Sequence, residues 1–156
     1  MGKPYYCAKT YRAKTAISYL VRRAHNLIMP RMETLFAENE LTFTQWAVLM
    51  YLRDGMGESC AEIARDMHHD NGAMTRILDQ LEARGLVERQ RSPDDRRVIK
   101  LSLTPAGMEM VETLIPLVAA YLNDLMGDFN KTEADQLISL LTRLVARAEQ
   151  VNEAKP

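Results

Sequence analysis

The sequence predicts a mainly α fold with one small antiparallel β-hairpin. Apolar residues recur at helical spacing over most of the chain, in runs opened by Ser, Thr, Asp or Asn and often closed by Gly. One stretch alone, between 86 and 103, switches to a period of two around a charged turn. The composition agrees, with 47% hydrophobic and 26% charged residues over 156, and with 7 Gly and 6 Pro, too few for a sandwich or barrel of many tight turns. That length suits one ordinary domain, read as a single chain unit over 1–156.

The elements follow in order. Ile17, Leu20, Val21, Ala24, Leu27, Ile28, Arg31 and Leu35 share one stripe, which predicts a long helix from about Thr10 to Glu38, kinked at Pro30. Thr42 and Gln45 make a capping-box start for a second helix through Ala47, Leu49, Met50 and Leu52, stopped at Asp54-Gly55. Ser59 and Glu62 open a short third helix through Ile63 and Met67. Asp70 or Asn71 caps a fourth, whose buried stripe is Met74, Ile77, Leu78 and Leu81 and whose terminator is Gly85. Leu86–Arg91 and Val98–Leu103 alternate by two, joined by the turn-forming 92–97. Thr104-Pro105 starts a fifth helix to about Gly127, bent at Pro116. Thr132 and Asp135 open the last helix, with Leu137, Ile138, Leu141, Leu144, Val145 and Ala148 on one stripe.

Charge is balanced in total and uneven in place. The net charge is −1, yet residues 1–32 hold seven Lys/Arg and no acid, and 84–100 hold six Lys/Arg against three acids. Residues 103–156 hold four against eight. A neutral total thus hides two basic zones and an acidic tail, an asymmetry that is also common on solvated helix faces. The longest apolar run, Leu114–Leu122, is nine residues, too short to span a membrane, and no secretory pattern opens the chain. Cys7 and Cys60 lack metal or redox-pair spacing and suit a reducing cytoplasm. No Ser-His-Asp set, phosphate-cradling Gly loop or paired catalytic carboxylates appear, so neither an enzyme nor a cofactor is expected.

Three helices, the third short and closed by Gly, then a basic hairpin, make a winged helix-turn-helix over 41–103. A helix with small and polar residues at its N-terminus can enter a major groove, because nothing bulky blocks base edges. Here that start is Asn71-Gly-Ala-Met-Thr75-Arg76. Met74 begins the buried stripe, which leaves Asn71, Thr75 and Arg76 facing out. Asn can pair bidentately with adenine and Arg with guanine. Arg96 and Arg97 at the hairpin tip suit phosphate or a narrow minor groove, with Asp95 holding Arg97 by a charge-assisted bond. The competing reading makes Asn71 a mere cap and the arginines a solvated surface. The run Leu114–Leu122 is apolar nearly all round and must be buried. A chain of this size has too little else to cover three long helices, so the first, fifth and last helices of two chains are expected to join. The dimerisation region is then 10–38 with 104–150.

These motifs resemble a known family. Leu41-Thr-x-x-Gln45-Trp46-x-x-Leu49, Glu62-Ile-Ala64, Met74-Thr-Arg-x-Leu-Asp-x-Leu-Glu-x-Arg-Gly85-Leu-Val-x-Arg89, Asp94-Asp-Arg-Arg97 and Leu103-Thr-Pro-Ala-Gly107 together look like the MarR (multiple-antibiotic-resistance regulator) family. The resemblance covers about 15–150 and is densest from Leu41 to Gly107. It implies a homodimeric winged-helix regulator, mostly a repressor, binding a pseudo-palindromic double-stranded operator and relieved by a small phenol or aromatic carboxylate. By position, Asn71–Arg76 look like the recognition-helix start, and Asp95 and Arg97 like the Asp-x-Arg pair of the wing, with Arg97 entering the minor groove.

The family places its effector against the first and second helices. Arg23 and His25 flank the first stripe by roughly 100° on either side, and Arg22 points nearly opposite it. An Arg can pair bidentately with a carboxylate. Trp46 and Met50, one turn apart, can wall an aromatic ring, although both also read as core. Two other features weigh against sensing by thiol or metal. Cys7 with Tyr11 resembles the Cys and Tyr of a peroxide-sensing branch but lies too far upstream of Leu41-Thr42, and Cys60 reads as a small buried residue. His68-His69, adjacent on a helix, cannot face one ligand. The alternatives kept are a thiol-redox regulator and a winged-helix interaction module that does not read DNA.

Overall fold

A computed structural model describes residues 4–91 and 99–153. The expected tip at 92–97, with Asp95, Arg96 and Arg97, lies outside the described residues. The order is α1 (Ile17–Ala37), α2 (Phe43–Arg53), α3 (Cys60–Asp66), α4 (Asn71–Ala83), β1 (Val87–Arg91), β2 (Ile99–Leu103), α5 (Pro105–Leu125) and α6 (Lys131–Glu153). The chain divides into two compact units, Met1–Ile115 and Pro116–Pro156, with the boundary at the proline inside α5. In the single chain, α1 and the first half of α5 therefore fall in the unit that holds 41–103.

The first unit is built on caps that the sequence announces. Thr42 Oγ1 accepts from the Gln45 amide while Gln45 Oε1 accepts from the Thr42 amide. Ser59 and Glu62 close the same reciprocal box at α3. Each satisfies donors that a helix start leaves unpaired. Gly55 and Gly85 take left-handed φ of 64° and 68° and stop α2 and α4, a conformation costly for a residue with a Cβ.

Phe36, Val48, Leu49, Ile63, Met74, Leu78, Leu81 and Val111 are fully buried in this unit. At one edge Phe36 stacks on Trp46, ring centroids 5.3 Å apart. Gln45 is the buried polar side chain among the described residues. Its amide is satisfied by Thr42 and by donation to Gln80 on α4 at 3.0 Å, as burial of such a group requires.

The hairpin is antiparallel, with Val87 opposite Leu103, Arg89 opposite Leu101 and Arg91 opposite Ile99. The Leu101 amide donates to the Glu58 carbonyl at 2.7 Å, which ties β2 to the loop before α3. Thr104 Oγ1 accepts from the Gly107 amide and donates to the Gly85 carbonyl, so one hydroxyl caps α5 and joins it to the end of α4.

Four expectations change. α1 begins at Ile17 and not near Thr10. Ala13–Thr15 form a 3-10 turn, Ala16 is extended, and the Tyr6 phenol oxygen accepts from the Ile17 amide where no capping side chain stands. α6 opens through Asn130 and Glu133, each bonding the other's amide, and not through Thr132 and Asp135. His68-His69 lie in the turn after α3, His68 at φ 53°, and not on a helix. Cys60 is half-buried rather than buried.

Within α1 the residues buried by the single chain are Met32 and Phe36. The upstream stripe stays open, with Leu20 49% and Leu27 67% exposed. In the second unit, Leu117, Leu122 and Leu125 of α5 are exposed, and no described residue of α6 is buried. Among the described residues, no helix is long and apolar enough to cross a membrane.

Candidate nucleic-acid interface

α3 and α4 form the helix-turn-helix. Tyr51 on α2 donates its hydroxyl to Asp66 at the end of α3, 2.7 Å away. That bond holds the Asp66 carboxyl below its usual value and, with burial and the nearby negative charge, pushes the Tyr51 phenol up to about 12. At the other end of α3, donation from the Glu58 amide, the Ser59 hydroxyl and the Ser59 amide keeps Glu62 ionised below the ordinary carboxylate range. The short helix is thus pinned at both ends by polar bonds, with Ile63 and Ala64 buried between them.

The turn then delivers α4. Asp70 is its N-cap, accepting from the Ala73 amide at 2.8 Å. This leaves Asn71 as the first helical residue, with its amide not used as the cap. Met74, Leu78 and Leu81 are buried. Asn71, Thr75 and Arg76 are exposed on the first two turns. The Thr75 hydroxyl donates to the Asn71 carbonyl, and Arg76 Nε makes a long bond to the Gly72 carbonyl. Both bonds lie along the helix; the first uses the one proton of the Thr75 hydroxyl and leaves its oxygen as an acceptor, whereas Arg76 bonds through Nε and keeps its terminal nitrogens as donors. Small residues Gly72 and Ala73 sit between them, so a groove edge meets a low, polar surface.

The hairpin packs on this helix through a residue that the site reading left out. Arg89 on β1 reaches Asp79 and Glu82 of α4, each at 2.7 Å. A signal for it exists in the sequence. Arg89 is in phase with inward Val87, and Asp79 and Glu82 lie three apart on one helix face.

The residues read as an effector site are not brought round one cavity. A cavity of about 430 Å³ on α1 is lined by Tyr19, Arg22, Arg23, Asn26 and Leu27. Arg23 donates to the Tyr19 hydroxyl at 3.2 Å there. His25 is exposed and sits beside Asn26. Trp46 is 6% exposed and stacked on Phe36, and Met50 is half-buried on the same helix. Arg23 thus stands at a cavity, whereas Trp46 serves the core.

Comparison with known proteins agrees with this architecture. The sequence model of the MarR family matches residues 41–99. The transcriptional repressor NicR of Pseudomonas putida is 27% identical over 135 residues, which is 86% of this chain and 85% of that protein. The transcriptional repressor MprA of Escherichia coli is 38% identical over 79 residues, covering 51% of this chain and 45% of MprA. Among solved structures, BpsR of Bordetella bronchiseptica, whose DNA binding is regulated by 6-hydroxynicotinic acid, superposes with a TM-score of 0.75 at 26% identity. It covers 86% of this chain and 96% of that one. With its capped helix-turn-helix, docked hairpin and matching motifs, the chain carries a MarR-family domain over residues 41–99 and has the winged-helix fold of the MarR regulators it resembles.

Proposed function

We propose that this protein is a ligand-responsive repressor that binds a pseudo-palindromic operator as a homodimer. The observation that carries the reading is the first two turns of α4. Asn71, Thr75 and Arg76 stand exposed there above a buried Met74 and Leu78. α4 enters the major groove, with Asn71 and Arg76 reading base edges and Thr75 beside them. The hairpin meets the flanking minor groove through Arg96 and Arg97, with Asp95 orienting Arg97. Two chains join through the apolar faces of α1, α5 and α6, which a single chain leaves open.

The effector is a small aromatic carboxylate, held by Arg23 with Arg22 at the α1 cavity and walled by Tyr19. The guanidinium fork matches a carboxylate and stays charged at all relevant pH. The ligand class draws support from BpsR, regulated by 6-hydroxynicotinic acid.

A shift assay on the DNA upstream of the protein's own coding sequence tests the reading. Binding is expected without ligand, and a panel of benzoate-type and pyridine carboxylates is expected to release it. Arg23→Ala should weaken the effector response by about 1.5–3 kcal/mol and leave ligand-free binding intact. A retarded complex that no aromatic acid disturbs at millimolar levels would refute the effector assignment and leave the DNA reading standing.

A further inference from the structure

We infer that Arg89 is a positioning residue for DNA binding, a clamp that sets the hairpin against the recognition helix. The inference rests on the DNA reading proposed above. The guanidinium uses both terminal nitrogens, one on Asp79 Oδ1 and one on Glu82 Oε2, at 2.7 Å each. Its side chain is 27% exposed against 54% and 41% for its partners, so the cation is the least accessible member of the trio. It lies opposite buried Leu101 on the inner face of the hairpin. Beside it, a cavity of about 250 Å³ is lined by Cys60, Thr75, Arg89, Ile99 and Leu101. The two ion pairs give β1 a direct polar link to α4 beside this space.

A planar two-pronged cation bound to two carboxylates on one helix face constrains direction as well as distance. On the same helix Asp79 stands one turn, and Glu82 about two turns, beyond Thr75. The bridge therefore runs from β1 to the helix that presents the reading residues. Pairs of this exposure contribute little to folding stability. Their effect is expected in the geometry of hairpin and helix, because a site loosened by about an ångström loses much of its function.

Charge sign separates the clamp from a direct phosphate contact by Arg89. If Arg89 held DNA, removing the two acids would free the cation and raise affinity. If Arg89 holds the hairpin, removing them lowers affinity although the protein becomes more positive. The experiment compares the unaltered chain, Arg89→Met and the double variant Asp79→Asn with Glu82→Gln. Each is titrated against a duplex that the unaltered protein selects from a random-sequence pool, with hydroxyl-radical footprints and thermal melts. Both variants are expected to bind about five- to a hundredfold more weakly. Both should lose protection at the flanks, keep central protection, and melt close to the unaltered chain. Equal or tighter binding by the acid-free variant would overturn the clamp, even if Arg89→Met fails to fold. Failure of the unaltered chain to select any duplex would overturn the DNA reading itself, and the clamp with it.

Discussion

At the residue scale, the base reading proposed for α4 rests on Arg76 and Asn71, which stand exposed on its first two turns. Arg76→Ala should lower operator affinity by about 1–3 kcal/mol and relax the preference for one base pair. Binding measured on operators changed at single positions checks this. A uniform loss across all bases would make Arg76 a phosphate contact. A second residue-scale prediction concerns Tyr51 and Asp66. The folded-state value of Asp66 is depressed, so its contribution is present above the unfolded carboxylate value and is lost as pH falls through the folded one. Tyr51 is raised to about 12, so its contribution is present below about pH 10 and is lost as pH rises from there to about 12. Denaturation across pH should show the stability gap between the unaltered chain and Tyr51→Phe closing over that alkaline window. Asn71, Thr75 and Arg76 were legible in the sequence because helical phase alone puts them outside the Met74 stripe. For Arg89 only the inward phase was legible, since its role depends on two acids brought to it by the turn at Gly85.

At the element scale, the joints between helices and hairpin are as telling as the elements. A Cβ added at Gly107 would lie 2.0 Å from the Leu86 carbonyl oxygen. Gly107→Ala must therefore push the start of α5 away from the base of β1. The destabilisation should be about 1–3 kcal/mol, the usual range for overpacking, read as a lower thermal midpoint. An unchanged midpoint would show that this joint yields freely. The helix starts at Thr42, Ser59 and Thr104 were legible because capping is local chemistry, with donor and acceptor within three residues. The start of α1 was not, because its first amide is taken by Tyr6, eleven residues upstream. Periodicity overran that boundary. The opening of α6 was misread by two residues because Asn130 and Thr132 both offer caps, and only Asn130 has Glu133 at the reciprocal spacing.

At the scale of the whole molecule, the open apolar faces of α1, α5 and α6 are the ground for the proposed pairing of two chains. Leu27, Ile138, Leu140 and Val145 are each more than half exposed in the single chain, more apolar surface than a soluble monomer usually leaves uncovered. Light scattering at micromolar concentration should give the mass of two chains. Leu122→Asp should shift it toward one, because a charge buried in such an interface is costly. A monomer mass for the unaltered protein would refute the assembly. Of the Leu114–Leu122 run, Leu114 is buried by the single chain, while Leu117 and Leu122 stay exposed. The effector region was less legible, since helical phase put Arg23 at the edge of a face but could not tell that Trp46 turns inward to Phe36. The central claim is that this chain binds DNA through α4 and its hairpin. The most direct measurement is affinity for an operator duplex and an unrelated duplex across salt. The account predicts a steep loss, about a thousandfold from 50 to 200 mM salt on the operator, with Arg76→Ala removing most of the preference for operator over unrelated DNA. A salt-independent affinity, or equal affinity for both duplexes in the unaltered protein, would contradict it.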